Sequence, residues 1–392
     1  MAVYMYPILM FIYYSLCIPV ITEIHDLNIS EHIEDNLNSV TMRIFSRKFP
    51  SIFQAWNPAD NIKEEDPLIT LARHDLVFHS PEFFGLRWDQ EFIGLATSFT
   101  PESITKALAM RNHLLKLNPN IILIAEIRYH DAYKRFLPEG HKWWQYKDGK
   151  PIVGWEEGGY FLLNYQDPKF RDHVADQCKA VIDTGVVDGI MLDWWADDEE
   201  RPELVKTIRK TIGGKTLILA NSNDQKTPLT APYLNGYFME CYRSESVDDW
   251  KLISDTLLWA EKNLRYPRIN CLETWYHNSR QDLNLMRATT TLCLTHSSLF
   301  SDPNPLPTPD HLHDWYPFWS KSLGKPIADG KTHEDNTTIR EFEKGTVVYN
   351  PIGGKIVTLV FPEIRTSVAT GKRSHEHILS PVDGDIYLKG DK

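Results

Sequence analysis

Short apolar runs recur between residues 51 and 302, and most of them end in a polar or aromatic side chain. Runs of this kind are typical of strands that are buried on both faces of a parallel sheet. The pattern predicts eight strands, at residues 51–56, 74–80, 121–129, 187–194, 216–222, 236–242, 268–275 and 297–302.

Helical patterns lie between most of these strands. Thr100, Pro101 and Glu102 are typical of a helix start, and the apolar spacing continues to residue 117. Asp167 and Pro168 begin a second helix, and further helices are predicted at residues 198–212, 247–263 and 280–293. Eight strands that alternate with helices predict a (β/α)8 TIM barrel. A doubly wound open sheet is the alternative, but no G-x-G-x-x-G motif follows the first strand.

The strand and helix patterns also divide the chain into regions. The barrel is predicted to occupy residues 46–335 and to include a long segment, 131–166, that is rich in Trp, Tyr, Gly and charge. Long loops inside compact domains are usually functional. A proline-rich extended break is predicted at 303–309 and a helix at 310–323. Short strands separated by glycines then predict a small all-β C-terminal domain at 336–392.

Residues 1–21 are almost wholly apolar, and the first basic side chain of the chain is Arg43. This length suits either a secretory signal peptide or an N-terminal membrane anchor. Residues 22–45 are predicted to be a linker. We therefore expect a secreted protein, or one that is anchored to a membrane and faces away from the cytoplasm.

The composition limits the partners. The formal charge is −11, with 42 basic against 53 acidic side chains, which argues against a nucleic-acid partner. Aromatic residues make up 12% of the chain, and Trp and Tyr often provide flat surfaces for sugar rings. The five cysteines lack the short spacing of a zinc site or a small disulfide framework, which predicts buried thiols. No H-E-x-x-H motif is present, and we expect no metal ion and no cofactor.

Two predicted strands end in an acid beside aromatic residues, at Asp193 and at Glu240. In a parallel barrel the carboxyl ends of the strands meet at the face that carries the active site. Cleavage of a glycosidic bond requires two such carboxyl groups, so Asp193 and Glu240 are the predicted catalytic pair. Glu126 and Glu273 are rivals that could instead bind substrate or tune a pKa. Asp188 lies at the start of its strand and is expected to cap or turn there.

Further substrate-binding residues are predicted at the strand ends and in the long segment. The ordinary alternatives are ion pairs for the charged residues and packing for the aromatic ones, with loop anchoring an equal alternative for the two tryptophans of the long segment. Besides Glu126 and Glu273, the predicted substrate-binding residues are Trp56, Arg128, Trp143, Trp144, Trp194, Trp195, Asn221, Tyr242, Arg243, Trp275 and Tyr276.

From about Phe49 onward the chain resembles a family of glycoside hydrolases related to the endo-α-1,4-polygalactosaminidases. The resemblance rests on LARHDLVFHSPEFF, FLLNYQDPKFRDHVADQCKAVIDTGVVDGIMLDWW, LNGYFMECY and FEKGTVVYNPIGGKIVTLVFPE. It implies a (β/α)8 barrel in which an Asp ends the fourth strand and a Glu the sixth, which here are Asp193 and Glu240. Polygalactosaminidase-like chains are more compact after the third strand, where this chain carries 131–166, so the resemblance does not imply the sugar.

The predicted function is hydrolysis of a glycosidic bond in a poly- or oligosaccharide, with Glu240 as general acid/base and Asp193 as nucleophile or base. The alternative is a non-catalytic carbohydrate-binding TIM barrel in which the same acids only bind sugar hydroxyls. A barrel enzyme of another reaction class, such as a deacetylase or lyase, is a third alternative that lacks metal and cofactor motifs.

Overall fold

The computed structural model of the protein describes residues 39–56, 65–274, 282–296, 306–308 and 313–390. The chain divides into two units, Met1–Met42 and Arg43–Lys392, and all the described helices and strands belong to the second except the first three residues of the helix Val40–Phe45. The predicted signal peptide or anchor at residues 1–21 lies outside the described residues. Within the described ranges, no helix combines the length and the apolar character needed to cross a bilayer.

A sheet of eight parallel strands forms the centre of the molecule, in the order β1-β2-β3-β8-β9-β10-β11-β12. The first and last of these strands also contact each other, which closes the sheet into a barrel. The predicted fold class is therefore confirmed. In chain order, the strands up to the end of the barrel are β1 (Phe53–Ala55), β2 (Leu76–His79), β3 (Ile122–Glu126), β4 (Asp131–Tyr133), β5 (Tyr146–Lys147), β6 (Lys150–Pro151), β7 (Tyr160–Leu162), β8 (Gly189–Leu192), β9 (Leu217–Asn221), β10 (Gly236–Glu240), β11 (Cys271–Glu273) and β12 (Leu306–Thr308).

Burial on both faces explains why these short runs are strands. Every residue of β3, β8 and β9 is buried, as their continuous apolar sequences predict. Inside the barrel the rings of Phe53, Phe78 and Phe238 pack against one another, with centroids 4.9 to 6.1 Å apart. Gly236 opens β10 because a Cβ atom there would lie 1.7 Å from the carbonyl oxygen of Ile269.

Helices cover the outside of the barrel. Three of the α-helices begin with proline, which needs no hydrogen-bond partner in the first turn. The side chains of Asp66 and Asp167 cap two of them by accepting hydrogen bonds from backbone N–H groups, whereas Thr100 precedes the third without a side-chain cap. The α-helices are Val40–Phe45, Pro67–Ala72, Pro101–Leu117, Pro168–Asp183, Arg201–Ile212, Val247–Asn263 and Leu283–Thr295, and the short 3-10 helices are Ile93–Leu95, Ala231–Tyr233 and Pro317–Ser320.

The eighth strand of the barrel is β12, which lies in the segment that we predicted as an extended break. The predicted strand at 297–302 lies outside the described residues. Prolines at 305, 307 and 309 argue against a central strand, because proline lacks the N–H of the ladder. The prolines occupy alternate positions, however, so the N–H groups of Leu306 and Thr308, which face the same side, remain available.

The helix predicted at 310–323 is wrong for the part that the structure describes. From residue 313 onward this segment contains only the single turn Pro317–Ser320. Its apolar side chains pack as a cluster of rings instead, in which Trp319 lies edge-on to Trp315 and to Tyr316. Packing of large rings in irregular structure therefore overrode the helical spacing.

The long segment that follows β3 is folded rather than structureless. Strands β4 and β7 pair antiparallel, and β5 pairs with β6 in a small hairpin between them. We call residues 131–166 the insertion. It stands at the carboxyl end of β3, beside the mouth of the barrel.

A six-stranded antiparallel sheet follows the barrel, as the sequence predicts, in the order β13-β14-β15-β18-β16-β17. It packs on the helix Leu283–Thr295. Arg287 of that helix forms a bidentate ion pair with Asp383 at 2.8 and 2.9 Å. The strands are β13 (Lys331–Thr332), β14 (Thr338–Phe342), β15 (Gly345–Asn350), β16 (Val357–Ser367), β17 (Arg373–Leu379) and β18 (Asp383–Lys389).

Candidate active site

One large cavity, of about 1240 Å³, opens at the carboxyl ends of the barrel strands. Glu126, Asn221 and Glu240 are the last residues of β3, β9 and β10, and Asp193 directly follows β8. All four line the cavity, since parallel strands end at the same face. The lining residues are Trp56, His79, Ser80, Pro81, Glu82, Trp88, Ile93, Glu126, Ile127, Arg128, Tyr133, Phe136, Trp155, Glu157, Tyr160, Gln177, Asp193, Trp194, Asn221, Asn223, Glu240 and Tyr242.

Asn221 joins the two predicted catalytic acids. Its Nδ2 atom donates to Asp193 Oδ1 at 2.8 Å and to Glu240 Oε2 at 2.7 Å. The two acceptor oxygens therefore cannot be farther apart than these two distances laid end to end. The amide orientation is fixed because Asn221 Oδ1 accepts from the Asn223 N–H at 3.3 Å.

Asp193 occupies a crowded electrostatic environment. Burial is the main cause that raises its pKa to about 7, and the charges of Glu126 and Glu240 act in the same direction. Arg128, whose Nη1 lies 3.9 Å from Asp193 Oδ2, and the hydrogen bond from Asn221 oppose the rise. The carboxyl group of Asp193 therefore titrates near neutral pH.

Glu126 forms the third side of the acidic cluster. Its Oε2 atom accepts a hydrogen bond from Trp56 Nε1 at 2.8 Å, and its Oε1 atom lies 3.0 Å from Arg128 Nη2. Burial raises the pKa of Glu126 in spite of Arg128. Arg128 also lies 3.7 Å from Asp131 and places its guanidinium 4.8 Å from the ring centre of Tyr160. This single guanidinium thus faces three carboxyl groups.

Three of the six non-glycine residues that have positive φ in the described part of the chain line the cavity. Trp56, Trp194 and Asn223 have φ values of 43°, 53° and 51°, in the left-handed region that large side chains rarely occupy. All three line the cavity and follow the ends of β1, β8 and β9. Strain of this kind accumulates where a function requires an unusual side-chain direction.

Buried donors hold the strained residue beside Asp193. The carbonyl oxygen of Trp194 accepts from the Tyr129 hydroxyl at 2.9 Å and from Arg201 Nη2. Arg201 in turn donates to the Tyr129 hydroxyl at 3.0 Å. The Trp194 ring stacks on His130, with centroids 5.5 Å apart. The turn that carries Asp193 is therefore fixed on both sides of the backbone.

Comparison with known proteins finds no matching family model and no matching curated protein sequence. Solved structures do match. A noncanonic maltogenic alpha-amylase from Thermotoga neapolitana is 12% identical, with a TM-score of 0.50, and the match covers 88% of this chain and 99% of that one. An alpha-amylase from Lactobacillus plantarum is 11% identical, with a TM-score of 0.53, over 90% of this chain and 100% of that one.

The fold is shared with these alpha-amylases. Both similarities extend over the barrel and the C-terminal sheet together. Identities of 11% and 12% establish the architecture only, because one fold hosts many functions. The function must therefore be argued from the site itself.

Three of the predicted aromatic binding residues lie in the protein interior, away from the cavity. Trp143 and Trp144 are buried and pack against Phe170 and Phe161, respectively. Trp195 is buried and donates to the Thr230 hydroxyl at 3.0 Å. The packing alternative describes these three residues, whereas Trp194, next to Trp195, is exposed at the cavity.

The remaining predicted residues are divided between the cavity and its surroundings. Trp56, Arg128, Asn221 and Tyr242 line the cavity together with Glu126. Glu273 is fully buried beside Glu240, on the neighbouring strand, and Arg243 lies 3.6 Å from Asp224 and over the ring of Tyr242. Neither belongs to the lining. Trp275 and Tyr276 lie outside the described residues.

Asp188 has a structural role, but as a partner in buried ion pairs rather than as the cap or turn that the sequence predicted. It forms ion pairs with Arg43 and Arg111 and accepts the Leu123 N–H at 3.0 Å. Burial opposes ionisation, but Arg111 and Arg43 hold the pKa of Asp188 below its usual value. The predicted buried thiols are confirmed at Cys178, Cys241, Cys271 and Cys293.

Sequence reasoning missed the insertion side of the cavity. Tyr133, Trp155 and Tyr160 of the insertion line it, as do His79 and Glu82 after β2. The high aromatic content of the insertion could have indicated these residues. Only Trp143 and Trp144 of the insertion were predicted to bind substrate. Burial is the main cause that lowers the pKa of His79 to about 4, so this imidazole is neutral at pH 7.

No group of three or more His, Cys, Asp or Glu side chains suited to a metal ion occurs in the described part of the chain. The carboxyl groups of the cavity are instead engaged by amide, indole and guanidinium donors. Carboxyl groups held by such donors can take part in acid/base chemistry or in hydrogen bonds to a ligand.

Proposed function

We propose that the protein is a glycoside hydrolase in which Asp193 and Glu240 act together on a glycosidic bond. The bridge formed by Asn221 carries this proposal, because it holds two carboxyl groups from different strands at one face of an open cavity. Two acids in such an arrangement can share the two tasks of glycoside cleavage, proton donation and attack.

The separation of the acids favours retention of configuration. Retaining enzymes hold the two carboxyl groups roughly 5–5.5 Å apart, and inverting enzymes roughly 6.5–9.5 Å apart. The bonds of 2.8 and 2.7 Å to one nitrogen keep Asp193 Oδ1 and Glu240 Oε2 no farther apart than the two bond lengths together, which is below the inverting range. Little room remains between them for the water molecule that an inverting enzyme must place there.

The proposed reaction has two steps. Asp193 attacks the anomeric carbon as a carboxylate while Glu240 donates its proton to the leaving oxygen, which breaks the glycosidic bond and forms a glycosyl ester. Glu240 then removes a proton from water, the resulting hydroxide attacks the anomeric carbon, and Asp193 leaves as a carboxylate. Arg128, 3.9 Å from Asp193 Oδ2, stabilises that carboxylate before and after the cycle.

Exposed rings around the acids support a carbohydrate ligand. Six aromatic side chains are exposed in the described part of the chain, and four of them line this one cavity. Sugars bind to such surfaces through the apolar faces of their rings, and exposed aromatic side chains are otherwise costly to keep in water. The four are Tyr133, Trp155, Trp194 and Tyr242.

The charge of the cavity selects among sugars. Five carboxyl groups line it, against the single guanidinium of Arg128 and the neutral imidazole of His79. Such a surface repels uronic acids and sulfated sugars and favours neutral or amino sugars. An amino sugar also agrees with the resemblance to the endo-α-1,4-polygalactosaminidases.

The test is a screen of the purified protein against neutral, amino-sugar and acidic polysaccharides, with release of reducing ends as the readout. Asp193→Asn and Glu240→Gln should each abolish hydrolysis and leave the circular dichroism spectrum unchanged. Glu203→Gln, on an exposed helix surface and remote from the cavity, is the matched control. Full activity in either active-site variant would refute the proposal.

Binding without hydrolysis is the other informative outcome. If the wild-type protein binds a polysaccharide but releases no reducing ends from any member of the screen, the non-catalytic carbohydrate-binding barrel replaces the hydrolase. Proton NMR of the first product distinguishes retention from inversion in the hydrolase case.

A further inference from the structure

Trp155 is an exposed ring that the proposed reaction does not use. It is 44% exposed and lines the cavity from the insertion. Trp side chains are highly buried on average, and exposed apolar groups that lie together in a groove often mark a ligand site. The contacts of the loop that carries Trp155 show whether the ring is held in one position.

The loop holds Trp155 in a fixed position. The Trp155 N–H donates to the buried carboxylate of Asp131 at 2.9 Å, and its carbonyl oxygen accepts from the Tyr160 N–H at 2.9 Å. Two glycines fit closely around these groups. A Cβ atom on Gly154 would lie 2.7 Å from Asp131, and one on Gly158 would lie 2.2 Å from the Trp155 ring itself.

A continuous line of contacts connects the ring to the catalytic acids. The Trp155 and Tyr160 rings meet edge to face, with centroids 5.1 Å apart. Arg128 covers the ring of Tyr160 at 4.8 Å and lies 3.9 Å from Asp193. Tyr160 and Arg128 therefore separate Trp155 from Asp193. A sugar ring that stacks on Trp155 is consequently not the sugar whose bond is cleaved but another unit of the same chain.

We propose that Trp155 forms a distal sugar-binding subsite, so that the substrate is a chain of linked sugars rather than a sugar with a small leaving group. This inference rests on the proposed function. The subsite is preformed, because the loop is already tied to Asp131 and Tyr160, and preformed sites lose little entropy on binding. Asp131 also contacts Arg128, so the same carboxyl group supports the subsite and the acidic cluster.

The chain offers a matched control. Tyr146 belongs to the same insertion and is 41% exposed, but it does not line the cavity. Trp155→Ala and Tyr146→Ala therefore remove exposed rings of similar accessibility from one structural element. Trp155→Phe keeps a smaller stacking face and should restore part of the function, which a purely structural role in the loop would not predict.

The experiment measures kcat/KM on oligosaccharides of two to six units, prepared from the polysaccharide that the wild-type protein cleaves best. For wild type, kcat/KM should rise with chain length until the distal subsite is filled. Trp155→Ala should abolish that rise, with a loss of roughly 3- to 10-fold on long chains and none on the shortest. An unchanged dependence on chain length in Trp155→Ala would overturn the inference.

A binding measurement separates this inference from the proposed function. Wild type, Trp155→Ala and Tyr146→Ala are applied to an array of glucose, glucosamine, galactosamine and N-acetylglucosamine oligomers. If binding to long oligomers is lost only in Trp155→Ala while no oligomer is hydrolysed, the subsite stands and the hydrolase fails. If the oligomers are hydrolysed and all three proteins bind equally, the hydrolase stands and the subsite fails.

Discussion

Asp193 and Glu240 accept hydrogen bonds from the same side-chain nitrogen, that of Asn221, at 2.8 and 2.7 Å. An amide NH2 group has two hydrogens, and here each is directed to a different acid. Asn221 therefore fixes the side-chain positions of both acids without contributing a charge. We interpret it as a positioning residue for the proposed catalytic pair.

Asn221→Ala should lower kcat by about 10- to 100-fold, because misplacement of reacting groups by about 1 Å costs rate rather than affinity. KM should change little, since the aromatic walls of the cavity remain. Steady-state kinetics on the best polysaccharide substrate check this, with Asn263→Ala on an exposed helix surface as the control. Equal kcat in Asn221→Ala and wild type would show that the bridge has no role in the reaction.

Glu126→Gln should move the pH dependence of kcat/KM. Asp193 must be ionised to attack, and its pKa is raised to about 7, so kcat/KM should rise with pH through about 7. The Glu126 charge contributes to that rise in pKa, and the variant should therefore reach full activity at a lower pH. A rise of kcat/KM that stays at the same pH in Glu126→Gln as in the wild type would contradict the proposed role of Asp193.

Asp193→Asn should stabilise the protein at neutral pH. An Asp in an unfolded chain has a pKa of about 3.9, whereas that of Asp193 in the folded protein is about 7. Between these values the folded protein holds a proton that the unfolded chain has lost, so the free energy of unfolding of the wild type falls as pH rises. Asparagine does not titrate, and the variant should gain about 3 kcal/mol relative to the wild type between pH 4 and 7.

Urea unfolding of Asp193→Asn and wild type at pH 4 and pH 8 measures this difference. Asp188→Asn is the opposite case, because Arg111 and Arg43 hold the pKa of Asp188 low and its carboxylate stabilises the fold. That variant should lose stability at pH 8. A stability difference between Asp193→Asn and wild type that is the same at both pH values would contradict the raised pKa.

The barrel and its acids were predictable because they depend on local patterns. The runs that end at Asp193 and Glu240 are short and apolar, and a parallel barrel brings their carboxyl ends to one face whatever the loops do. The eighth strand was not predictable, because its prolines are typical of a segment that interrupts a sheet. Its pairing with β11 depends on which N–H groups face the neighbouring strand, which composition does not show.

The aromatic residues were harder to assign from sequence. Trp143 and Trp155 lie in the same insertion, yet one packs on Phe170 and the other faces the cavity. Similarly, Trp194 and Trp195 are adjacent and point in different directions. Local sequence marks such a segment as rich in rings, but the tertiary contacts of each residue decide where its ring points.

The strained turn beside Asp193 is supported at the carbonyl oxygen of Trp194. The Trp194 carbonyl oxygen has two donors, the Tyr129 hydroxyl and Arg201 Nη2. Tyr129→Phe removes the first and keeps the buried ring, and Arg201→Lys loses the fork that reaches both Trp194 and Tyr129. Either variant alone leaves one donor. The double variant removes both donors to the Trp194 carbonyl oxygen. A buried carbonyl without a hydrogen bond lowers the free energy of unfolding by about 1–3 kcal/mol.

We therefore expect the two substitutions to be non-additive. Each single variant should retain most of kcat, whereas the double variant should lose more than the product of the two single losses. Only the loss of both donors allows the left-handed backbone at Trp194 to relax and turn Asp193 away from the cavity. A double-mutant cycle on kcat and on the free energy of unfolding measures the coupling. Additive losses in kcat would mean that these donors stabilise the fold without positioning Asp193.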